Sequence, residues 1–289
     1  MSSTSRRLAL LFVASVSSLA LPARADIEFV DQFRSLYSTQ TGDGATLTQD
    51  GYVFSTRLFA SGANVYDSVT MTGPGGVVSL VADPSAPAVY SYGSGLYPTE
   101  AAMDADFPLN TTYEYLATNA SGSDATSLPV DSTAYPQSIP YLDGTTYSRL
   151  QGMDAAASFQ VDFSPFTTGS AADESFIFFT IYDVTQGSSV YDAGLLPPTS
   201  GGLTLAANTL KAGHQYTYEL IFSNRDLFPT GGTTFASQLG FDYRTGGTFT
   251  TAVPEPASRP GGLSTIFGAR GFSCAAPPQQ SDEAIEITG

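Results

Sequence analysis

The run Ser175-Phe176-Ile177-Phe178-Phe179-Thr180-Ile181-Tyr182-Asp183-Val184 decides how this chain is read. It is dense in β-branched and aromatic residues and apolar at adjacent positions, which is what a central strand buried on both faces requires. Working outward, the apolar period is two. Ala157, Phe159, Val161 and Phe163 alternate with Ser158, Gln160 and Asp162, one side for a core and one for water. Tyr216, Tyr218, Leu220 and Phe222 alternate with Gln215, Thr217, Glu219 and Ile221 in the same way. Phe241, Tyr243 and the segment from Thr248 to Thr251 predict a closing hairpin that turns at Gly246-Gly247.

The first half reads similarly. Gly51 to Phe59 and Val65 to Thr72 predict strands, Gly73-Pro74-Gly75-Gly76 a turn, Val77 to Val81 and Thr112 to Ala117 further strands. No stretch carries a sustained helical period with caps. The expected fold class is all-β, an antiparallel β-sandwich. A Ser-, Asp-, Thr- and Pro-rich stretch from Asn119 to Gln137 marks a boundary. It separates a sandwich-like domain over 26–128 from a second over 129–252, each of about the usual size for that architecture; one elaborated sandwich is the competing arrangement.

The N-terminus reads as a signal peptide over 1–25. Arg6 and Arg7 give a positive start, Leu8 to Leu21 a run of 14 apolar and small residues, and Ala23 and Ala25 the small residues before a cut at Asp26. The run is short of the roughly 20 apolar residues a membrane-spanning helix needs. Removing Arg6, Arg7 and Arg24 leaves eight basic residues against 27 acidic ones, and moves the net charge from −16 to −19. That excludes a phosphate-backbone partner, so no nucleic acid is expected. With 42% hydrophobic residues, 19 Phe and 16 Tyr, the chain can still bury a core. Cys274 is the single cysteine, so no internal disulfide and no cysteine-rich zinc site can form.

Where the strands end, Val253-Pro254-Glu255-Pro256 resembles the start of the PEP-CTERM sorting signal of exported proteins from biofilm-forming Gram-negative bacteria. Segments 178–183, 212–219 and 222–225 resemble strands in the bodies of such proteins. The resemblance implies an extracellular β-sandwich, removal of the leader by signal peptidase, processing by an exosortase, and residence at the cell surface or in a polysaccharide matrix. In that family an apolar helix and an arginine cluster follow the motif. Here Arg259 and Arg270 stand apart and no apolar window is long enough to span a bilayer, so 253–289 is expected to be a degenerate motif with a disordered tail, released rather than anchored. A frameshift after the Ser258 codon and a chance match are the two explanations.

No catalytic constellation stands out, and the protein is expected not to be an enzyme. His214, the single histidine, opens a strand, with no Gly-x-Ser-x-Gly elbow to accompany it. Asp43, Asp50, Asp143, Asp154, Asp173 and Asp183 lie near turns or strand ends and read as solvated groups. No cofactor is expected. Loop aspartates are compatible with a structural calcium ion, but no EF-hand or nonapeptide repeat names its ligands. Tyr90, Tyr92 and Tyr97, clustered around Ser91, Gly93 and Gly95, are the candidate platform for a glycan, since tyrosine combines a stacking face with a hydroxyl. The function expected is that of a non-catalytic secreted or cell-surface matrix protein associated with exopolysaccharide. The alternatives are a carbohydrate-binding or lectin-like module and a secreted glycan or ester hydrolase.

Overall fold

A computed structural model describes residues 26–130, 135–169, 172–229 and 236–253. The leader with Ala23 and Ala25, the motif residues Pro254, Glu255 and Pro256, and the tail lie outside the described residues. The elements in chain order are β1 (Ile27–Gln40), β2 (Leu47–Ala60), β3 (Ser68–Gly73), β4 (Gly76–Asp83), β5 (Ala86–Gly93), α1 (Glu100–Asp106), β6 (Thr111–Asn119) and β7 (Gly122–Val130). They continue as α2 (Thr146–Leu150), β8 (Phe159–Asp162), β9 (Glu174–Asp183), β10 (Ser188–Asp192), β11 (Gly202–Leu205), β12 (Gln215–Pro229) and β13 (Ala236–Thr250). The chain is all-β, as its periodicity implies.

Eleven strands form one sheet in the order β10-β9-β12-β13-β1-β2-β5-β4-β3-β6-β7, while β8 and β11 form a separate pair. The pairings are antiparallel with one exception: β1 runs parallel to β13, with Phe33 opposite Gly240 and Tyr37 opposite Arg244. The sheet is otherwise antiparallel as expected, and this pair departs from it because β1 is inserted beside β13. Two apolar clusters cover the inner face. One gathers Leu58, Met71, Tyr90, Tyr113 and Leu128 from β2 to β7, together with Leu239 and Phe241 of β13. The other gathers Ile177, Phe179, Ile181, Tyr218 and Phe222 with Val161 and Leu205 of the separate pair. Each fully buried Phe or Leu contributes on the order of 1.5–3 kcal/mol. The boundary read at 128/129 falls at the end of β7, and the sheet is continuous through strands from both sides of it.

Three local expectations are corrected. Gly246 and Gly247 make no hairpin turn: β13 runs through them, pairing Gly246 with Glu219 and Gly247 with Tyr218. Gly247 is small because the Tyr218 ring lies over it; a Cβ there would sit 2.6 Å from that ring. The stretch read as a boundary contains β7, an edge strand paired to β6 from Asn119–Gly122 through Thr111–Val130. There are also short helices: α1 is capped by the Thr99 side chain, which accepts from the Ala102 amide.

Candidate functional site

The strands at the centre of the sheet carry apolar residues inward and a different set outward, two positions apart. Outward on β1 stand Asp31, Phe33, Ser35 and Tyr37, and the register sets Asp31 beside Arg57 of β2. On the other side Phe33 meets Gly240, which in turn lies opposite Arg225 of β12. Asp242 and Arg244 follow on β13. The result is a groove of about 600 Å³ across the outer face, floored by Phe33, Tyr37, Arg57, Arg225, Asp242 and Arg244 with Phe178, Thr180 and Ile221. Its rims are Ser91 to Gly93 on one side and Asp192 with Gly194 and Leu195 on the other.

Guanidinium groups and rings alternate along the floor. Arg57 lies 5.3 Å from the Phe59 centroid and 5.2 Å from that of Phe33. Arg225 lies 4.5 Å from Phe33 and 4.9 Å from Phe176. Arg244 stands 5.5 Å from Tyr37. Such stacking is worth about 0.5–2 kcal/mol per pair, more when dry. It holds the rings and the cations in fixed positions.

The three cations have unequal partners. Arg57 makes a two-pronged pair with Asp31, at 3.0 Å from Nε and 2.6 Å from Nη2. Burial still raises the Asp31 carboxyl above its ordinary range, against the pull of Arg57. Arg244 bonds Asp242 at 2.8 Å and Glu219 at 3.4 Å. Burial opposes its charge, but Asp242, Tyr37 and Glu219 hold its pKa above the usual arginine value. Arg225 is 8% exposed and bonds neutral groups, Ser223 Oγ at 3.0 Å and Gln238 Oε1 at 2.8 Å. Burial lowers its pKa, only partly offset by Asp242 and Asp31.

The tyrosines expected as a platform separate. Tyr90 is 3% exposed, and its hydroxyl donates to the Tyr66 carbonyl at 3.1 Å and accepts from the Tyr66 amide at 2.9 Å. It belongs to the core, so the three-residue exposed platform is corrected. Tyr92 and Tyr97 are half-buried and share a hollow of about 230 Å³ with Asp106 and Tyr113. There the Tyr97 hydroxyl donates to Asp106 at 2.7 Å; burial, then that carboxylate, push it up to about 12.

Asp183 is fully buried rather than solvated, 2.8 Å from His214 Nδ1. Val253, the one motif residue described, is 75% exposed, and Asp26 is exposed beside Ser61. Among the described residues no group of three or more His, Cys, Asp or Glu could hold a metal ion, and no helix is long and apolar enough to cross a membrane.

The groove arginines were missed by sequence reading. Their signal is present in retrospect: cations are scarce in the chain, and Arg57, Arg225 and Arg244 each fall inside a strand.

No protein-family model and no curated protein matches this chain. Among solved structures it is similar to the FN1–FN3 domains of chicken CNTN1, at a TM-score of 0.24 and 12% identity over 77% of this chain and 67% of that one. It is also similar to fibronectin(III)-like modules of Clostridium thermocellum CbhA, at 0.23 and 9% over 75% and 90%. A third likeness is to trypsin-activated alpha-2-macroglobulin from Escherichia coli, at 0.23 and 9% over 77% and 16%. Likenesses this distant carry no argument about function, and the all-β class rests on the strands and their pairing.

Proposed function

We propose that this is an exported, non-catalytic protein of the cell surface or extracellular matrix that binds a glycan in the groove on the outer face of its sheet. The observation that carries the reading is the groove floor, where guanidinium groups and aromatic rings lie side by side in a groove of about 600 Å³. Rings offer flat apolar faces for sugar rings, and the arginines offer donors for hydroxyl and acid groups. Export, removal of the leader before Asp26, exosortase processing and association with exopolysaccharide belong to the same proposal, supported by the leader pattern and the Val253-Pro254-Glu255-Pro256 motif.

Retention of the secreted chain on immobilised neutral and acidic polysaccharides tests it. Thr180, half-buried on the groove floor, is the position at which to fill the site. Thr180→Trp should abolish retention while leaving the unfolding temperature within a few degrees of the wild type. Retention unchanged in that variant, or no retention on any polysaccharide, would sink the groove reading.

A further inference from the structure

We infer that Arg225 anchors an oxyanion, the carboxylate or sulfate group of an acidic saccharide, at the floor of the groove. This deepens the glycan reading and rests on the groove being the ligand site. A buried guanidinium is retained only where bonds and opposite charges replace lost water. Arg57 and Arg244 have those carboxylates directly, in Asp31 and in Asp242 with Glu219. Arg225, the most buried of the three, bonds Ser223 Oγ and Gln238 Oε1, which are neutral. Its positive neighbours make this worse: Arg57 shares the Phe33 ring with it, at 5.2 Å and 4.5 Å from the centroid.

The nearest acids, Asp31 and Asp242, are committed elsewhere, Asp31 to Arg57 and Asp242 to Arg244 and to the Ser223 hydroxyl at 2.6 Å. The rings of Phe33 and Phe176, with centroids 4.5 and 4.9 Å from the guanidinium carbon, pack against Arg225 and hold it in place. A fixed planar fork facing a groove is the geometry that takes a carboxylate or sulfate through parallel hydrogen bonds. The net charge, −19 once Arg6, Arg7 and Arg24 are removed with the leader, does not oppose this at physiological salt, because surface charges beyond about 8 Å are screened while a partly buried pair is screened much less.

The test is thermal unfolding of the full secreted chain with three probes: sodium sulfate, trigalacturonate and galactotriose. Ligand that binds the folded state raises the unfolding temperature in a saturable way. Sulfate also stabilises proteins generally, so the reading is the difference between wild type and variant. Arg225→Gln should fold, since no carboxylate loses its direct partner, and Arg225→Lys is the second variant, keeping charge while losing the fork. For wild type, sulfate and trigalacturonate should raise the unfolding temperature and galactotriose much less. Arg225→Gln should weaken trigalacturonate by roughly tenfold or more, with Arg225→Lys between the two. Equal binding of galactotriose and trigalacturonate, unchanged in Arg225→Gln, would overturn the anchor and leave the groove reading standing. A sulfate shift lost in Arg225→Gln, with neither saccharide binding, would support the anchor and remove the glycan. No saturable shift with any probe would remove both.

Discussion

At the scale of single residues, the Asp183 carboxylate shows how a strand end that looks solvated becomes structural. It accepts from the His214 ring at 2.8 Å and from the Gln186 amide at 3.0 Å, and it is fully buried. Burial works to raise its pKa, but these bonds and the His214 interaction outweigh it, so the value lies below the ordinary 3.8. A carboxylate with a depressed folded pKa stabilises the protein above its unfolded value and loses that contribution as pH falls through the folded one. The unfolding temperature should therefore drop below about pH 4 in part through Asp183. Asp183→Asn should start lower at neutral pH and fall less steeply on acidification. Parallel acid limbs for the two proteins, recorded by circular dichroism between about pH 2 and 6, would show that Asp183 takes no part.

At the scale of elements, strands with a clean period were legible in the sequence and strands defined by their neighbours were not. The run at 216–222 emerges as β12 with its alternation intact. The run at 175–184 emerges as β9, but second from the sheet edge and with one buried and one half-buried face rather than central and buried on both, because its outer side lines the groove. β1 escaped because Asp31, Gln32, Arg34 and Ser35 break any apolar period, although all four are buried. Its polar groups are tolerated inside because partners from distant strands satisfy them, as when Gln32 Nε2 donates to the Tyr115 hydroxyl at 2.8 Å. The groove was illegible for a related reason: Arg57, Arg225 and Arg244 meet only through registers that no local pattern encodes. The glycine pair misled in the opposite direction, since two adjacent glycines favour a turn, yet here Gly247 makes room for a ring. That ring is pinned by the bond from its hydroxyl to Gln40 Oε1 at 2.8 Å and by stacking on Phe179. Gly247→Ala should thus cost about 1–3 kcal/mol through overpacking. Urea unfolding should show a lower midpoint with an unchanged slope, and an unchanged midpoint would mean that Tyr218 can move aside.

At the scale of the whole molecule, the two halves of the sheet are joined in its middle by β1 and β13, strands far apart in the chain. Val30 and Ser237 are bonded across 207 residues of chain, so β1 finds its parallel partner only after β13 has been made. Pairing at such separation is slow to form, because loop-closure entropy must be overcome before the contact stabilises anything. The first apolar cluster depends on the same strand, since Leu239 and Phe241 of β13 are fully buried within it. A fragment spanning 26–128 would therefore keep β1 to β6 and most of β7 but leave one side of β1 unpaired and a hole where two large side chains belong. The loss of those two side chains alone is on the order of 5–10 kcal/mol by core-truncation costs, comparable to the total stability of an ordinary domain. The fragment should show no cooperative thermal transition and little amide protection in β1. Adding a chain over 129–252 should restore both, because it supplies β13. A cooperative transition in the isolated fragment, with protected β1 amides, would instead establish the first half as an independent domain and assign the β1–β13 pairing to docking rather than folding.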